Sequence, residues 1–187
     1  MWSFKDHGKS WNAVYERDHP PGFRWLHESV GTNWRLTEMQ SAIGRIQLQR
    51  MPEWTAARQA NCRAIWETAA CLPGLSVPEV PEDIEHAGYK CYVFVEEAVF
   101  NEPVADVRDR IMNAIVAEGV PCFSGSCSEV YLEKAFTALG LGPKERLPVA
   151  RKLGDSSLMF LVHPTLRAFE IEKSVQALRQ VMSLAAI

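Results

Sequence analysis

Residues Gly31–Leu48 read GTNWRLTEMQSAIGRIQL and mark the point where the sequence changes from a segment without hydrophobic periodicity to a helix. Thr37 is followed three residues later by Gln40, which is the spacing of a capping box, where each side chain hydrogen-bonds the other residue's backbone N–H group. Apolar side chains then recur on one helical face, at Met39, Ile43 and Ile46. The sequence therefore predicts a helix that begins at Thr37.

The residues just before this helix, Gly31–Arg35, carry several hydrogen-bond donors within about one helical turn. Asn33 supplies an amide, Arg35 supplies a guanidinium, and the helix N-terminus supplies backbone N–H groups with a partial positive charge. Such a set of donors favours binding of an anion, above all a phosphate. The alternative is that Asn33 only stabilises a turn and that Arg35 is a solvated surface charge.

Upstream of the helix, residues 1–36 are rich in tryptophan and histidine and show neither helical nor strand periodicity. We expect an irregular aromatic arm with a turn at Pro20-Pro21-Gly22. Its large aromatic side chains must pack either on the chain itself or on another subunit. The histidines of the arm lie on no rigid element and have no adjacent cysteine, so we expect no metal site.

Downstream, Pro52 is expected to interrupt the helical pattern, because proline lacks the N–H group that a helix interior needs. A second helix from Glu53 to about Ala70 then places a stripe on one face before Pro73-Gly74 ends it. The stripe consists of Trp54, Ala57, Asn61, Ile65 and Ala69. Residues 37–71 are therefore predicted to form two connecting helices, which together make one long kinked helix.

Residues 72–187 alternate between strand patterns and helix patterns. Strands are predicted at 89–95, 120–123 and 158–162, and the first is apolar or aromatic on both faces, as in a strand covered on both sides. Helical patterns are predicted at 104–115 (closed by Gly119), 129–139, 147–153 and 168–185. The alternation is typical of a small α/β domain, with three or so strands packed with helices. The predicted domains are thus an arm (1–36), connecting helices (37–71) and a small α/β domain (72–187).

Composition restricts the class of protein. The 187 residues are 47% apolar and carry a net charge of -3 with no basic stripe, which argues against a nucleic-acid partner. The five cysteines form no CxxC pair and are expected to be reduced and mostly buried. No apolar run approaches the roughly 20 residues of a membrane helix, and the first residues show no signal-peptide pattern. We therefore expect a soluble, cytoplasmic protein with no membrane partner.

The segment Cys122–Ser128, CFSGSCS, is small and polar and follows a predicted strand. It has no nearby histidine to act as a base, and it lacks the Gly-x-Ser-x-Gly spacing of a nucleophile elbow. The segment is therefore interpreted as a loop that hydrogen-bonds a ligand, and not as part of a catalytic triad.

Three stretches of the chain resemble the DegT/DnrJ/EryC1/StrS family of sugar aminotransferases, which depend on pyridoxal phosphate. Residues 31–48 match the family pattern Gly-x-Asn-x-Arg, a hydrophobic residue, then Thr-Glu-x-Gln-x-Ala-Ile-Gly-x-x-Gln-Leu nearly residue for residue. Residues 4–8 (FKDHG) resemble the family's Arg-x-His-Gly stretch, and residues 157–164 (SLMFLVHP) resemble its leucine-rich strand that ends in a proline. The three matches follow the family order and span almost the whole chain.

The resemblance implies the C-terminal small domain of a type I (aspartate aminotransferase-like) fold. It implies transfer of an amino group from glutamate to a keto nucleotide sugar through pyridoxal phosphate, in making lipopolysaccharide or another surface glycan, and it implies a homodimer. The alternative is a non-catalytic dimerisation or ligand-binding domain derived from the same family.

The resemblance also implies roles for single residues. Asn33 is similar to the asparagine that reaches across the dimer to the cofactor phosphate of the neighbouring subunit, and Arg35 is similar to an arginine that helps bind the nucleotide sugar. Tyr131 lies where the family often has a His-Tyr stretch, but the histidine is absent here, which leaves the sugar open. Lys5 does not match the family's cofactor-bonding lysine, so no catalytic residue is assigned and these 187 residues are expected to be inactive alone.

Overall fold

The computed structural model describes residues 1–19 and 25–185, so the turn expected at Pro20-Pro21-Gly22 lies outside the described residues. The chain divides into two compact units, Met1–Met51 and Pro52–Ile187, which we call the first and the second unit. Their boundary lies inside one helix. The division into arm, connecting helices and small domain stays a prediction from the sequence.

The arm contains two short helices, α1 (Trp2–Lys5) and α2 (Trp11–Tyr15), so the prediction of a wholly irregular arm was wrong. Helices of four and five residues complete barely one turn, so they leave no hydrophobic period in the sequence. The Ser10 hydroxyl accepts from the backbone N–H of Ala13 (3.4 Å) and caps α2. The aromatic rings pack on one another, with the Trp2 and Trp11 ring centroids 5.3 Å apart.

Two backbone stretches of the first unit, residues 3–9 and 26–33, are hydrogen-bonded to each other and touch directly at two glycines. The Thr32 N–H donates to the Phe4 carbonyl (2.7 Å), and the His7 N–H donates to the Thr32 carbonyl (3.1 Å). A Cβ atom on Gly31 would lie 2.3 Å from the Gly8 nitrogen, and a Cβ atom on Gly8 would lie 1.7 Å from the Ser29 carbonyl oxygen. Only glycine therefore fits at either point of contact.

The next helix, α3 (Glu38–Ala70), is continuous, so the predicted break at Pro52 was wrong. A proline inside a helix removes one hydrogen bond and costs about 3 kcal/mol, but strong helix formers flank it on both sides. In the second unit α3 also buries Cys62, Ile65 and Ala69, which favours continuation of the helix. The capping box is present: the Thr37 N–H donates to the Gln40 side chain (3.0 Å), and the Gln40 N–H donates to the Thr37 hydroxyl (3.3 Å).

The second unit contains a four-stranded antiparallel sheet with strand order β1-β2-β4-β3. Its strands are β1 (Leu75–Ser76), β2 (Cys91–Val95), β3 (Cys122–Phe123) and β4 (Ser157–Phe160). The three predicted strands are present with shorter bounds. The edge strand β1 was missed, because two residues are too few to show an alternating pattern.

Four further helices belong to this unit: α4 (Val104–Ala117), α5 (Lys134–Thr137), α6 (Pro148–Ser156) and α7 (Ala168–Ala185). Helix α7 has its predicted bounds, and Gly119 follows α4 with φ +73°, as expected of a glycine that ends a helix. The helical stretch predicted at 129–139 is split into a 3-10 turn (Val130–Leu132) and α5, because Glu133 between them has an extended backbone.

The core of the second unit packs around the sheet, and all four residues of β4 are buried. Strand β2 alternates between buried and half-buried residues, so only one of its faces is fully covered. Helices α3, α4 and α7 supply the remaining core side chains, which include Ile65, Val107, Ile111, Ile115, Leu178 and Met182. All five cysteines are free thiols, and three of them are buried. No helix within residues 1–19 and 25–185 is both long and apolar enough to span a membrane.

Replacing Gly31 by alanine is expected to destabilise the first unit by about 1–3 kcal/mol, because the new methyl group overlaps backbone atoms that cannot rotate away. Gly44→Ala is the matched control, since nothing lies within 4 Å of a Cβ atom there, and alanine in a helix should gain about 0.5–1 kcal/mol. Chemical denaturation followed by tryptophan fluorescence measures both changes. Equal stability of the two variants would contradict the proposed backbone contact.

Candidate functional site

The first unit holds a buried carboxylate, Asp6, between two cations. The Arg35 guanidinium donates to one oxygen of this carboxylate, and the Lys9 ammonium lies 3.6 Å from the same oxygen. Burial alone would raise the pKa of Asp6, but the hydrogen bond and charge of Arg35, together with Lys9, hold that pKa below its usual range. The carboxylate is therefore ionised at neutral pH, and the group of three carries a net charge of +1.

Asn33 lies beside this cluster. Its backbone forms an antiparallel bridge with Asp6, and its side-chain Oδ1 accepts from the Arg35 backbone N–H (3.4 Å). The Asn33 side chain is exposed, and its Nδ2 group donates to no residue within the described ranges 1–19 and 25–185. The structure thus places Asn33 beside Arg35, and the ligand roles of both residues stay predictions.

Asp6 is the residue that the sequence analysis missed. The signal was present, because an acidic residue stands inside the FKDHG stretch that was quoted for its resemblance. Nothing in the sequence showed that this stretch and the segment around Asn33 pair through their backbones.

The helix N-terminus contributes less to an anion site than expected. Two of its backbone N–H groups, those of Thr37 and Gln40, are used by the capping box. Glu38 also places a negative charge in the first turn of α3. The side-chain donors that remain for a ligand are the Asn33 amide and the outer part of the Arg35 guanidinium, whose side chain is 48% exposed.

The third predicted residue, Tyr131, lies in the second unit and is bonded on both sides of its hydroxyl. The hydroxyl donates to the Glu129 carboxylate (2.6 Å) and accepts from the Leu147 backbone N–H (3.0 Å). Arg146 donates to both oxygens of the same carboxylate, at 2.7 and 2.5 Å. These contacts, Arg146 first and Tyr131 second, lower the pKa of Glu129 to about 2.

The loop predicted to contact a ligand lines an open cleft of about 570 Å³ next to Glu129. Lys90 donates to the Ser126 hydroxyl (2.6 Å), and the Ser126 backbone N–H donates to the Tyr92 hydroxyl (3.2 Å). Gly125 has φ +91°, and a Cβ atom there would lie 2.4 Å from the Tyr92 ring, so only glycine fits at this position. The cleft is lined by hydroxyl and carboxylate groups, the Arg108 guanidinium and the Cys127 thiol. None of its lining residues is a histidine that could act as a base, which suits ligand binding better than nucleophilic catalysis.

Metal binding has no support in the described residues. Within 1–19 and 25–185, no three side chains of the types His, Cys, Asp or Glu form a group that could hold a metal ion.

Known proteins are similar to this chain over most of its length. The model of the DegT/DnrJ/EryC1/StrS aminotransferase family matches residues 3–179. The chain is 27% identical over 143 residues to the erythromycin biosynthesis sensory transduction protein EryC1 of Saccharopolyspora erythraea, a match that covers 76% of this chain and 36% of that protein. It is 27% identical over 158 residues to the dTDP-3-amino-3,4,6-trideoxy-alpha-D-glucose transaminase of Streptomyces venezuelae, covering 84% of this chain and 38% of that protein.

Among solved structures, the aminotransferase from Psychrobacter cryohalolentis superposes with a TM-score of 0.82 and is 55% identical. That match covers 100% of this chain and 49% of the solved one. The chain therefore spans less than two fifths of the two curated relatives and about half of the solved aminotransferase.

Replacing Arg146 by glutamine is expected to raise the pKa of Glu129 from about 2 towards the usual value of about 4.3, because Arg146 is the largest cause of the shift. The folded-state pKa lies below the unfolded one. The stabilisation from this carboxylate is therefore present above about pH 4.3 and is lost as the pH falls towards 2. Carbon NMR of the side-chain carboxyl measures the midpoint.

The matched control for this titration is Arg110→Gln, which removes a similar partner from Glu102 elsewhere in the second unit. It should leave the Glu129 midpoint unchanged. A Glu129 midpoint that does not move in Arg146→Gln would show that the bidentate pair does not set the charge of this cleft.

Proposed function

The chain belongs to the DegT/DnrJ/EryC1/StrS aminotransferase family, and from this membership we propose that it acts as the C-terminal portion of a nucleotide-sugar aminotransferase. The proposed reaction transfers an amino group from glutamate to a keto sugar nucleotide, in the synthesis of lipopolysaccharide or another surface glycan. The observation that supports this most is the joining of the two resembling stretches, FKDHG and Gly31–Arg35, into one polar cluster.

The proposed cofactor is pyridoxal phosphate, which when bound supplies the electron sink for amino transfer. The described residues fit its phosphate end, because Asn33 keeps an amide donor without a partner in the described part of the chain. We propose that this amide hydrogen-bonds the phosphate of the cofactor held by the neighbouring subunit of a homodimer. No lysine of these 187 residues matches the family's cofactor-bonding lysine, so that residue is proposed to come from another part of the complete enzyme.

Arg35 in the first unit is proposed to bind the substrate, and so, separately, is the cleft beside Tyr131 in the second unit. Arg35 retains exposed donors beyond its contact with Asp6, which suits a phosphate group of a sugar nucleotide. The hydroxyl and carboxylate groups of the cleft suit a polyhydroxylated sugar. Tyr131 acts there by holding Glu129 in place, since both sides of its own hydroxyl are already bonded. The Streptomyces venezuelae relative is named for a dTDP-linked amino sugar, which supports this substrate class.

A homodimer is proposed because the first half of α3, together with Leu36 two residues before it, exposes a row of large apolar side chains. These are Leu36, Met39, Ile43 and Ile46, each at least 50% exposed. The second candidate function, a non-catalytic dimerisation or ligand-binding domain, would use the same row of side chains and needs no lysine. The two candidates differ in whether these 187 residues support amino transfer when a second segment supplies the cofactor-bonding lysine.

A chimera tests this difference. These 187 residues replace the matching 49% of the Psychrobacter cryohalolentis aminotransferase, which leaves the rest of that enzyme to supply its own lysine. We expect the chimera to bind pyridoxal phosphate, to form 2-oxoglutarate from glutamate, and to elute as a dimer in light scattering. The 187-residue polypeptide alone should form no covalent adduct with the cofactor on borohydride reduction, as measured by intact mass.

The parental Psychrobacter enzyme is the positive control for this experiment. A folded, cofactor-loaded chimera that forms no 2-oxoglutarate favours the non-catalytic candidate. A monomeric chimera with full activity contradicts the proposed role of the homodimer.

Single substitutions in the active chimera separate the two ligand contacts. Asn33→Ala should weaken retention of pyridoxal phosphate by roughly ten- to a hundredfold, the usual cost of losing one hydrogen bond to a charged group. Arg35→Ala should raise KM for the sugar nucleotide and leave cofactor retention near normal. Asn12→Ala, at an exposed position of the same unit, is the matched control. Full activity with both Asn33 and Arg35 replaced would show that the shared site lies elsewhere.

A further inference from the structure

Asp6 lies behind Arg35 and can act on a ligand only through that residue. We propose that Asp6 is a positioning residue, which fixes the Arg35 guanidinium so that its outer N–H groups receive the pyrophosphate of a nucleotide sugar. The inference rests on the proposed function, because it names the ligand group that Arg35 takes up. It adds Asp6 to the site as the residue that orients Arg35.

The backbone around Asp6 is shaped for this contact. His7 and Gly8 both have left-handed φ values, +58° and +85°, and for a histidine this conformation is uncommon and strained. The two consecutive left-handed residues turn the chain directly after Asp6. The bridge between Asp6 and Asn33 then holds the carboxylate at the segment that carries Arg35.

The carboxylate lies behind the guanidinium and away from solvent. The Asp6 side chain is 7% exposed, whereas the Arg35 side chain is 48% exposed. A ligand therefore meets the open part of the guanidinium and not the carboxylate. An arginine without such a partner samples many rotamers, and ordering those rotamers on binding costs affinity.

The charge of the cluster still favours an anion. Lys9 also pairs with Asp6, so two cations share one carboxylate and leave a net charge of +1. Asp6 thus anchors Arg35 without cancelling the attraction for phosphate. A pyrophosphate, which offers several oxygen acceptors close together, fits the planar set of donors on a guanidinium.

The contact between Asp6 and Arg35 can be separated from the backbone bridge. Asp6→Asn keeps the size of the side chain and the backbone bridge to Asn33 but removes the charge that anchors Arg35. Asp6→Glu keeps the charge on a side chain that is one methylene longer. A merely structural role would disturb Arg35 and Asn33 together, whereas the positioning role affects only the ligand of Arg35.

The test is a double-substitution cycle on the 187-residue polypeptide with inorganic pyrophosphate as the probe, followed by calorimetry. We expect Asp6→Asn to weaken binding about tenfold, the effect of an unanchored arginine, and Asp6→Glu to recover part of the loss. In an Arg35→Ala background the same Asp6→Asn change should have no further effect. Asp83→Asn, at an exposed position of the second unit, is the control.

Several results overturn the inference. These are no pyrophosphate binding by the unsubstituted polypeptide, tighter binding by Asp6→Asn, or an equal effect of Asp6→Asn in the presence and absence of Arg35. None of them depends on activity of the chimera, so failure of this inference and failure of the proposed function are told apart. In an active chimera, Asp6→Asn should raise KM for the sugar nucleotide while kcat and retention of pyridoxal phosphate stay near normal.

Discussion

Gly8 and Gly31 let two stretches of backbone in the first unit come into direct contact, and a Cβ atom on either glycine would overlap main-chain atoms. This contact aligns Asp6 with Asn33 in an antiparallel bridge and brings the Asp6 carboxylate to Arg35. Asp6, Asn33 and Arg35 are therefore positioned by a backbone contact that leaves no room for a Cβ atom at either glycine. Two of the three stretches that resemble the aminotransferase family, residues 4–8 and 31–35, are therefore packed against each other in the first unit.

The polar groups of the two sites differ in what they leave for a ligand. Asn33 uses its Oδ1 internally and keeps its Nδ2 group, and Arg35 uses one side of its guanidinium for Asp6. The Tyr131 hydroxyl donates one hydrogen bond and accepts another, so Tyr131 affects the cleft only by holding the Glu129 carboxylate. Internal bonds of this kind fix the orientation of a binding group before the ligand arrives, which reduces the entropy cost of binding. Considered separately, the cleft of the second unit has a preoriented wall, and the first unit has free side-chain donors.

Long periodic elements were predictable from the sequence, and short or long-range features were not. The capping box at Thr37 and the bounds of helix α7 depend on local spacing alone, and both are present. Helices α1 and α2 and strand β1 are too short to produce a period. Continuation of α3 through Pro52 depends on helix formers and burial over many residues, which outweigh the local cost of one proline. Asp6 was missed because Arg35 lies 29 residues away from it along the chain, and only the fold brings the two side chains together.

The central claim is that Asn33 donates to a cofactor phosphate held by the neighbouring subunit. A crystal structure of the chimera with bound pyridoxal phosphate measures this directly. The account predicts a dimer in which the Asn33 Nδ2 atom lies about 3 Å from a phosphate oxygen of the partner's cofactor, a normal hydrogen-bond distance. A phosphate held entirely by residues of its own subunit, with Asn33 turned to solvent, would contradict it.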